Sequence, residues 1–185
     1  GGFGLEAAES VVDLGPQAPS ILEVLESLVH CSLVRFLPSA TGETRFRQFA
    51  SIREFGRLTL DTNTRRAAEE RHYRYCAKCC RHWVDAVHGP DEMHWNVVIR
   101  DEYHNLLAAF RRAIDRDPEE ATDIFRMLDV VFTHRGPRDL RQSMIHQLET
   151  RIDRLSPTAQ FQVALSIAAS GEREQLDKAM SLATS

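Results

Sequence analysis

The sequence predicts a mainly α-helical protein with one short β-hairpin near its N terminus. Apolar residues recur at helical spacing over most of residues 62–185. Between residues 32 and 49, two short runs of strand composition flank a turn that contains Gly42. Glycine and proline fall mainly between the apolar periodic segments, where they end helices.

The N-terminal part, residues 1–61, is predicted to hold three helices and the hairpin. A short helix stops near Gly15, and the next has its apolar residues on one face. The hairpin follows, and a last helix closes this part. The expected elements are helices at about 5–13, 21–30 and 51–60, with strands at 32–37 and 44–49. A helix, a hairpin and a further helix in this order are typical of the second half of a winged helix.

Residues 62–185 are predicted to be helical throughout, with Thr64 as a candidate N-cap of the first helix. Helices are expected at about 64–87, 91–99 and 101–115, then after Asp117, Gly136, Ser156 and Gly171. Each has a single apolar stripe, so each must pack on a neighbour through short connections. Gly136 and Gly171 lie 35 residues apart, close to the tetratricopeptide period of about 34 residues. This part is therefore interpreted as an array of α-hairpins.

The composition and charge of the chain argue against several kinds of function. The formal net charge is -4, whereas a dedicated nucleic-acid binder usually has a basic footprint. No apolar run reaches the roughly 18 residues of a membrane span, and no signal peptide is visible. We therefore expect no membrane association and a cytoplasmic location, with the four cysteines reduced. The chain starts at Gly1 without an initiator Met, so we expect a fragment of a longer protein.

Arginines are the candidate interaction residues. The helix in the recognition position carries Glu23 and Glu26 and neither Lys nor Arg, so it would repel DNA phosphates. Arginines on the predicted wing suit an acidic protein surface as well as a DNA backbone. Those at the start of the next helix suit a solvated face or an acidic partner. The set is Arg35, Arg45, Arg47, Arg65 and Arg66.

One histidine and three cysteines form a candidate metal cluster: His72, Cys76, Cys79 and Cys80. A Cys-x-x-Cys pair beside histidine resembles part of a zinc site, but a second ligand pair is lacking. The alternative is a buried helix contact filled by small, soft side chains. His104 lies near acidic residues, yet no nucleophile and no phosphate-binding loop accompany it. No metal, cofactor or catalytic role is therefore expected of this chain.

The order of several segments resembles the region after the nucleotide-binding domain of bacterial STAND-type (NB-ARC/AP-ATPase-like) signal-transduction ATPases. The segments are GGFGLEAAESVV, ILEVLESLVHCSLVRF, RFRQFASIREFGRL, RHYRYC and DEYHNLLAAFRRAI. The resemblance implies a winged helix that packs on the nucleotide-binding core in cis and moves with its nucleotide. It also implies a helical sensor array that binds a protein partner or a small inducer. ATP or ADP would bind only in the absent upstream domain.

The nucleotide-sensing Met-His-Asp motif of many relatives aligns with Gln48, Phe49 and Ala50, so the sensing histidine is missing. We accordingly predict a non-catalytic regulatory and protein-interaction region of a larger ATPase or transcriptional regulator. The alternative is a DNA-binding winged-helix transcription regulator with a helical oligomerisation domain. Salt-sensitive binding to duplex DNA would favour that alternative.

Overall fold

A computed structural model of the chain describes residues 1–38, 42–87 and 89–169, apart from the side chains of residues 85 and 133–135. Most of these residues are helical, and two short antiparallel strands form the sheet. The prediction of a mainly helical chain with one small hairpin is confirmed. The predicted Gly171 turn and the last predicted helix lie outside the described residues.

The N-terminal part begins with α1 (Leu5–Val11) and α2 (Ile21–His30). Ser20 caps α2 in a capping box, because its hydroxyl accepts from the Glu23 amide while the Glu23 carboxylate accepts from the Ser20 amide. Ser32 ends the helix with a positive φ of 58°. The Leu33 amide bonds the Leu28 carbonyl at 2.9 Å, which is the Schellman arrangement that reverses the chain into the first strand.

Strands β1 (Val34–Leu37) and β2 (Arg45–Gln48) pair with Phe36 opposite Phe46. Phe46 and Val34 are buried and belong to a small core of their own. Phe3 extends this unit, because it exchanges two backbone hydrogen bonds with Phe46 and stacks its ring on that residue's ring. Phe3 and Phe46 therefore hold the start of the chain against the hairpin.

Helix α3 (Ala50–Thr59) follows β2 and has no buried residue. It also has no extensive contact with another described helix or strand. Helix α4 (Thr62–Ala86) starts two residues earlier than its expected cap. The side chain of Asp61 accepts from the amides of Asn63 and Thr64, so the prediction of Thr64 as N-cap is wrong.

The helical part continues with α5 (Glu92–Ala113), α6 (Pro118–Arg135), α7 (Arg138–Glu149) and α8 (Pro157–Ala168). The sequence predicted a break near Arg100, but α5 is continuous there, since no glycine or proline interrupts it and Ile99 is fully buried. Between α7 and α8, residues Ile152–Arg154 form a short 3₁₀ helix. Asp117 and Ser156 cap α6 and α8, each followed by proline at the first helical position.

One large core joins helices α4 to α8. Helix α6 is its centre and packs on α4, α5, α7 and α8. Polar ties reinforce this packing, and two of them involve arginines of α4 and α7. Arg81 of α4 bonds Glu120 and Asp123 of α6, and Arg141 of α7 bonds Asp129 of α6 and the Ser166 carbonyl of α8. The five helices therefore form one continuous packed unit.

Candidate functional site

A polar network joins the N-terminal part to helix α5. The carbonyl of Gly2 accepts hydrogen bonds from Arg45 Nη2 and Asn105 Nδ2, both at 2.8 Å. Glu102 completes the network, since its carboxylate pairs with Arg45 Nη1 at 2.5 Å and accepts from Asn105 Nδ2 at 2.6 Å. The side chains of Arg45 and Glu102 are only 11% and 19% exposed. This junction network is the best-organised polar site between the two parts of the chain.

The hairpin positions the network. Phe46 is buried on the core face of β2, and Arg45 beside it is turned towards α5, where it meets Glu102. The bridge between Phe3 and Phe46 fixes the neighbouring Gly2 carbonyl within reach. Gly2 is itself buried, and an added Cβ would lie 3.0 Å from the Phe46 carbonyl oxygen. A second tie runs from Arg71 of α4 to the Val11 carbonyl of α1 at 2.7 Å.

A cavity of about 270 Å³ lies beside this network, between α1, α4 and α5. Its polar wall includes His72, whose Nδ1 is 3.2 Å from Arg112 Nη1. A guanidinium can only donate, so Nδ1 accepts and the imidazole proton resides on Nε2. Burial, and next the charge of Arg112, lower the pKa of His72 to about 4. His72 is therefore a neutral imidazole at pH 7, and its Nε2 lies 3.9 Å from Cys76 Sγ.

The cysteines of the candidate metal cluster pack against other residues of the protein, and their side chains do not point to a common metal position. Cys76 and Cys80 are buried in the main core, and burial raises the pKa of both thiols. Burial also raises the pKa of the Cys79 thiol. Protonated thiols are poor metal ligands. Across the described residues, no group of three or more His, Cys, Asp or Glu could hold a metal ion; zinc at His72, Cys76, Cys79 and Cys80 stays a hypothesis.

A second, larger opening lies on the other side of α1, which we name the tryptophan cleft. Its volume is about 720 Å³, and both tryptophans of the chain, Trp83 and Trp95, line it. Their ring centroids are 6.2 Å apart. Helix α1 and the hairpin form one side, and helices α4 and α5 form the other. The cleft shares Tyr75, Cys76 and Glu102 with the 270 Å³ cavity, so both openings adjoin the junction network.

Around helix α3 the chain exposes several large apolar side chains, which we name the α3 surface. Phe55 is 67% exposed and Leu58 is 73% exposed. The other members flank α3: Phe49 and Leu60. Arg35 lies over the Phe49 ring, 5.2 Å from its centroid. Contiguous exposed apolar patches in folded proteins often mark interaction sites.

The predicted interaction arginines occupy three different places in the structure. Arg45 is internal, because its guanidinium is bonded within the junction network. Arg65, at the start of α4, is half-buried, whereas Arg66 beside it is exposed. Arg35 and Arg47 are exposed on the strands, next to the α3 surface. Sequence analysis missed Gly2 and Glu102 as partners of Arg45, since only the fold brings together groups so distant in sequence.

None of the described helices is long and apolar enough to cross a membrane. Comparison of the chain with protein-family models, with curated proteins and with solved structures finds no match.

Proposed function

We propose that the chain is a non-catalytic regulatory and protein-interaction region of a larger signal-transduction ATPase. The α3 surface docks on an acidic protein surface, and the junction network couples that contact to the helical part. The helical part receives a protein partner or a small inducer. The exposed apolar face of α3, without a partner in the described chain, is the observation that carries the proposal.

Helix α3 is unusual in how little of it the described residues cover. Its ten residues include no buried one, although Ile52, Phe55 and Leu58 recur at helical spacing. An isolated helix this short is marginal in water, and most helical stability in proteins comes from packing an apolar face. A docking partner would supply that packing. Full burial of a side chain such as Phe55 or Leu58 contributes about 1.5–3 kcal/mol.

The charges around the α3 surface indicate which kind of partner would dock there. Residues 32–66 contain seven arginines against three carboxylates, whereas residues 1–31 contain five carboxylates and neither Lys nor Arg. Arg35, Arg47 and Arg53 are exposed around the α3 surface. Duplex DNA would satisfy these charges but offers little apolar surface to Phe55 and Leu58. An acidic protein surface with an apolar centre satisfies both requirements.

The winged-helix interpretation has partial support. Helix α2, the hairpin and α3 follow in the expected order, and α1, α2 and the strands share a core. Helix α3 is outside that core, which leaves its face available to another domain. The resemblance to STAND-type ATPases implies that this domain would be the nucleotide-binding domain in cis. ATP or ADP would be bound there, and the winged helix would relay the nucleotide state.

The contacts among α4–α8 support the α-hairpin array. Helices α4, α6 and α8 form one row of successive contacts, while α5 and α7 each pack between neighbours in that row. Stacked tetratricopeptide-like hairpins produce this pattern, in which the first helices of successive pairs contact one another. Arrays of this kind present extended surfaces to partners.

Binding between the chain and the P-loop domain encoded before Gly1 in the same reading frame tests the proposal. Calorimetry should show binding that weakens as the salt concentration rises, because arginines contribute to the contact. Replacing Phe55 and Leu58 with serine should abolish binding. Met93→Ser is the matched control, since Met93 is 84% exposed on α5, a different element.

Four outcomes would overturn this proposal. The first is the absence of a P-loop domain from the reading frame. The second is equal loss of binding in the α3 and Met93 variants. The third is salt-sensitive binding of duplex DNA by the wild type, which would establish the DNA-binding regulator instead. The fourth is a dimer in sedimentation that Phe55→Ser dissociates, which would assign the α3 surface to a second copy of the chain.

A further inference from the structure

We infer that the tryptophan cleft binds an organic cation, of the alkylated or quaternary ammonium class. The inference names the chemistry of the inducer in the proposed function. Binding itself stands without that proposal, and only its regulatory consequence rests on it. Size, aromatic walls and the arrangement of charge each support the assignment.

The cleft has the dimensions of a ligand site. Its volume of about 720 Å³ lies within the roughly 300–1,000 Å³ of small-molecule pockets. It is lined by two indoles and a phenol, from Trp83, Trp95 and Tyr75. Both tryptophans pack against the main core, so their positions are set by the fold. Pockets for ligands commonly combine such apolar walls with a few placed polar groups.

Aromatic walls favour a cation. The face of an indole or phenol carries the negative part of the ring quadrupole and attracts ammonium groups within about 6 Å. Quaternary ammonium groups suit such walls because they are weakly hydrated and apolar in outline. A neutral ligand of the same shape would gain the apolar contact alone.

Carboxylates reinforce this preference. Glu6 and Glu43 line the cleft. Arg45 and Glu102, also on the wall, are paired with each other, so their two charges offset one another. Lys78 is the other Lys or Arg among the described lining residues, and it opposes a bound cation.

Burial and nearby carboxylates raise the pKa values of two groups in the wall of the cleft. Burial is the main cause that raises the pKa values of Tyr75 and Cys79, and the charges of Glu6 and Glu102 raise both further. The Glu6 carboxylate that acts on this phenol and thiol would also attract a cation bound in the cleft.

The position of the cleft gives ligand binding a structural consequence. Glu6 belongs to α1 in the N-terminal part, whereas Trp83 and Trp95 belong to α4 and α5. A ligand held by these residues contacts both parts of the chain next to the junction network. Occupancy would stabilise the arrangement in which α1 lies against α4.

Tryptophan fluorescence tests the inference directly, because both tryptophans of the chain line the cleft. Choline is the probe, at constant ionic strength. Its uncharged carbon isostere dimethylbutanol is the comparison, since it has the same shape without the charge. Choline should produce a saturable change in emission. The isostere should bind about tenfold more weakly or without saturation.

Charge variants test the location of the site. Glu6→Gln should weaken choline binding about threefold, and Lys78→Gln should strengthen it about threefold. Glu9→Gln is the matched control, because Glu9 is exposed on the same helix and does not line the cleft. Circular dichroism verifies that each variant is folded.

The inference fails if the choline response does not saturate, or if choline and its isostere bind equally. It also fails if Glu6→Gln and Glu9→Gln have the same effect, because the attraction would then not be local to the cleft. Loss of partner binding at the α3 surface would leave these titrations unaffected, so the two proposals fail separately.

Discussion

Replacing Arg45 with methionine should destabilise the junction between the hairpin and α5. Methionine keeps the length and apolar stem of the side chain but removes the guanidinium. The Glu102 carboxylate would keep its bond from Asn105 and lose its charged partner. The Gly2 carbonyl would lose one of its two donors and keep the other.

The magnitude follows from burial. Removing one partner of a fully buried ion pair costs about 3–5 kcal/mol. The side chains of Arg45 and Glu102 are 11% and 19% exposed, so water relieves part of this cost. We expect a loss of about 2–3 kcal/mol in the free energy of unfolding, including the lost bond to Gly2. Combining Arg45→Met with Glu102→Gln should cost about 1.5–2 kcal/mol less than the two single losses added together.

Urea denaturation followed by circular dichroism measures these free energies. Arg47→Met is the matched control, because Arg47 lies two residues along the same strand and is exposed. It should change stability by less than about 0.5 kcal/mol. Equal effects of the Arg45 and Arg47 variants would refute the argument. A coupling energy below about 0.5 kcal/mol between Arg45 and Glu102 would also refute it.

Three further predictions concern the rest of the chain. The pKa of His72 is about 4 in the folded chain against 6.5 for a free imidazole, so the unfolded state takes up the proton first. The free energy of unfolding should fall by about 3 kcal/mol as the pH drops from about 6.5 to about 4. The His72→Asn variant keeps an acceptor for Arg112 and should lack this pH-dependent loss of stability, which denaturation at several pH values would measure. Thiol labelling of the native chain should modify the exposed Cys31 rapidly, since two of the other thiols are buried with raised pKa values. The Cys31→Ser variant should therefore lack the fast phase of labelling. A fast phase that survives this substitution would contradict the assigned burial. Ser32→Gly should raise the melting temperature, with a gain of about 0.5–1 kcal/mol, because glycine adopts positive φ without the strain of a side chain; a lower melting temperature would contradict the assigned turn.

Local sequence signals predicted the secondary structure well where one signal dominates. The periodic apolar residues of α2 and the Pro118 and Pro157 helix starts left little ambiguity. The break expected near Arg100 was wrong because Ile99, Leu106 and Phe110 belong to one core-facing stripe that runs through this position at helical spacing. The cap of α4 was placed three residues late, since Asp61 and Thr64 are both good capping residues and only geometry decides between them.

The junction network could not be predicted from sequence in the same way. Asn105 bonds the carbonyl of Gly2, which is 103 residues away, and a backbone acceptor leaves no sequence pattern. Arg45 was predicted to contact an external partner, but its guanidinium is bonded to Gly2 and Glu102 within the chain. Glu102 was noticed only as a neighbour of His104, which is exposed.

Hydrogen exchange tests the central claim most directly, in the larger ATPase to which we propose that this chain belongs. The account predicts a P-loop domain before Gly1 and different exchange rates for the amides of α3 in the ATP and ADP states, because docking of the α3 surface changes with the nucleotide. Amides of the buried helix α6 should exchange equally in both states. Identical exchange of α3 with the two nucleotides, or a reading frame without a P-loop, would contradict the account.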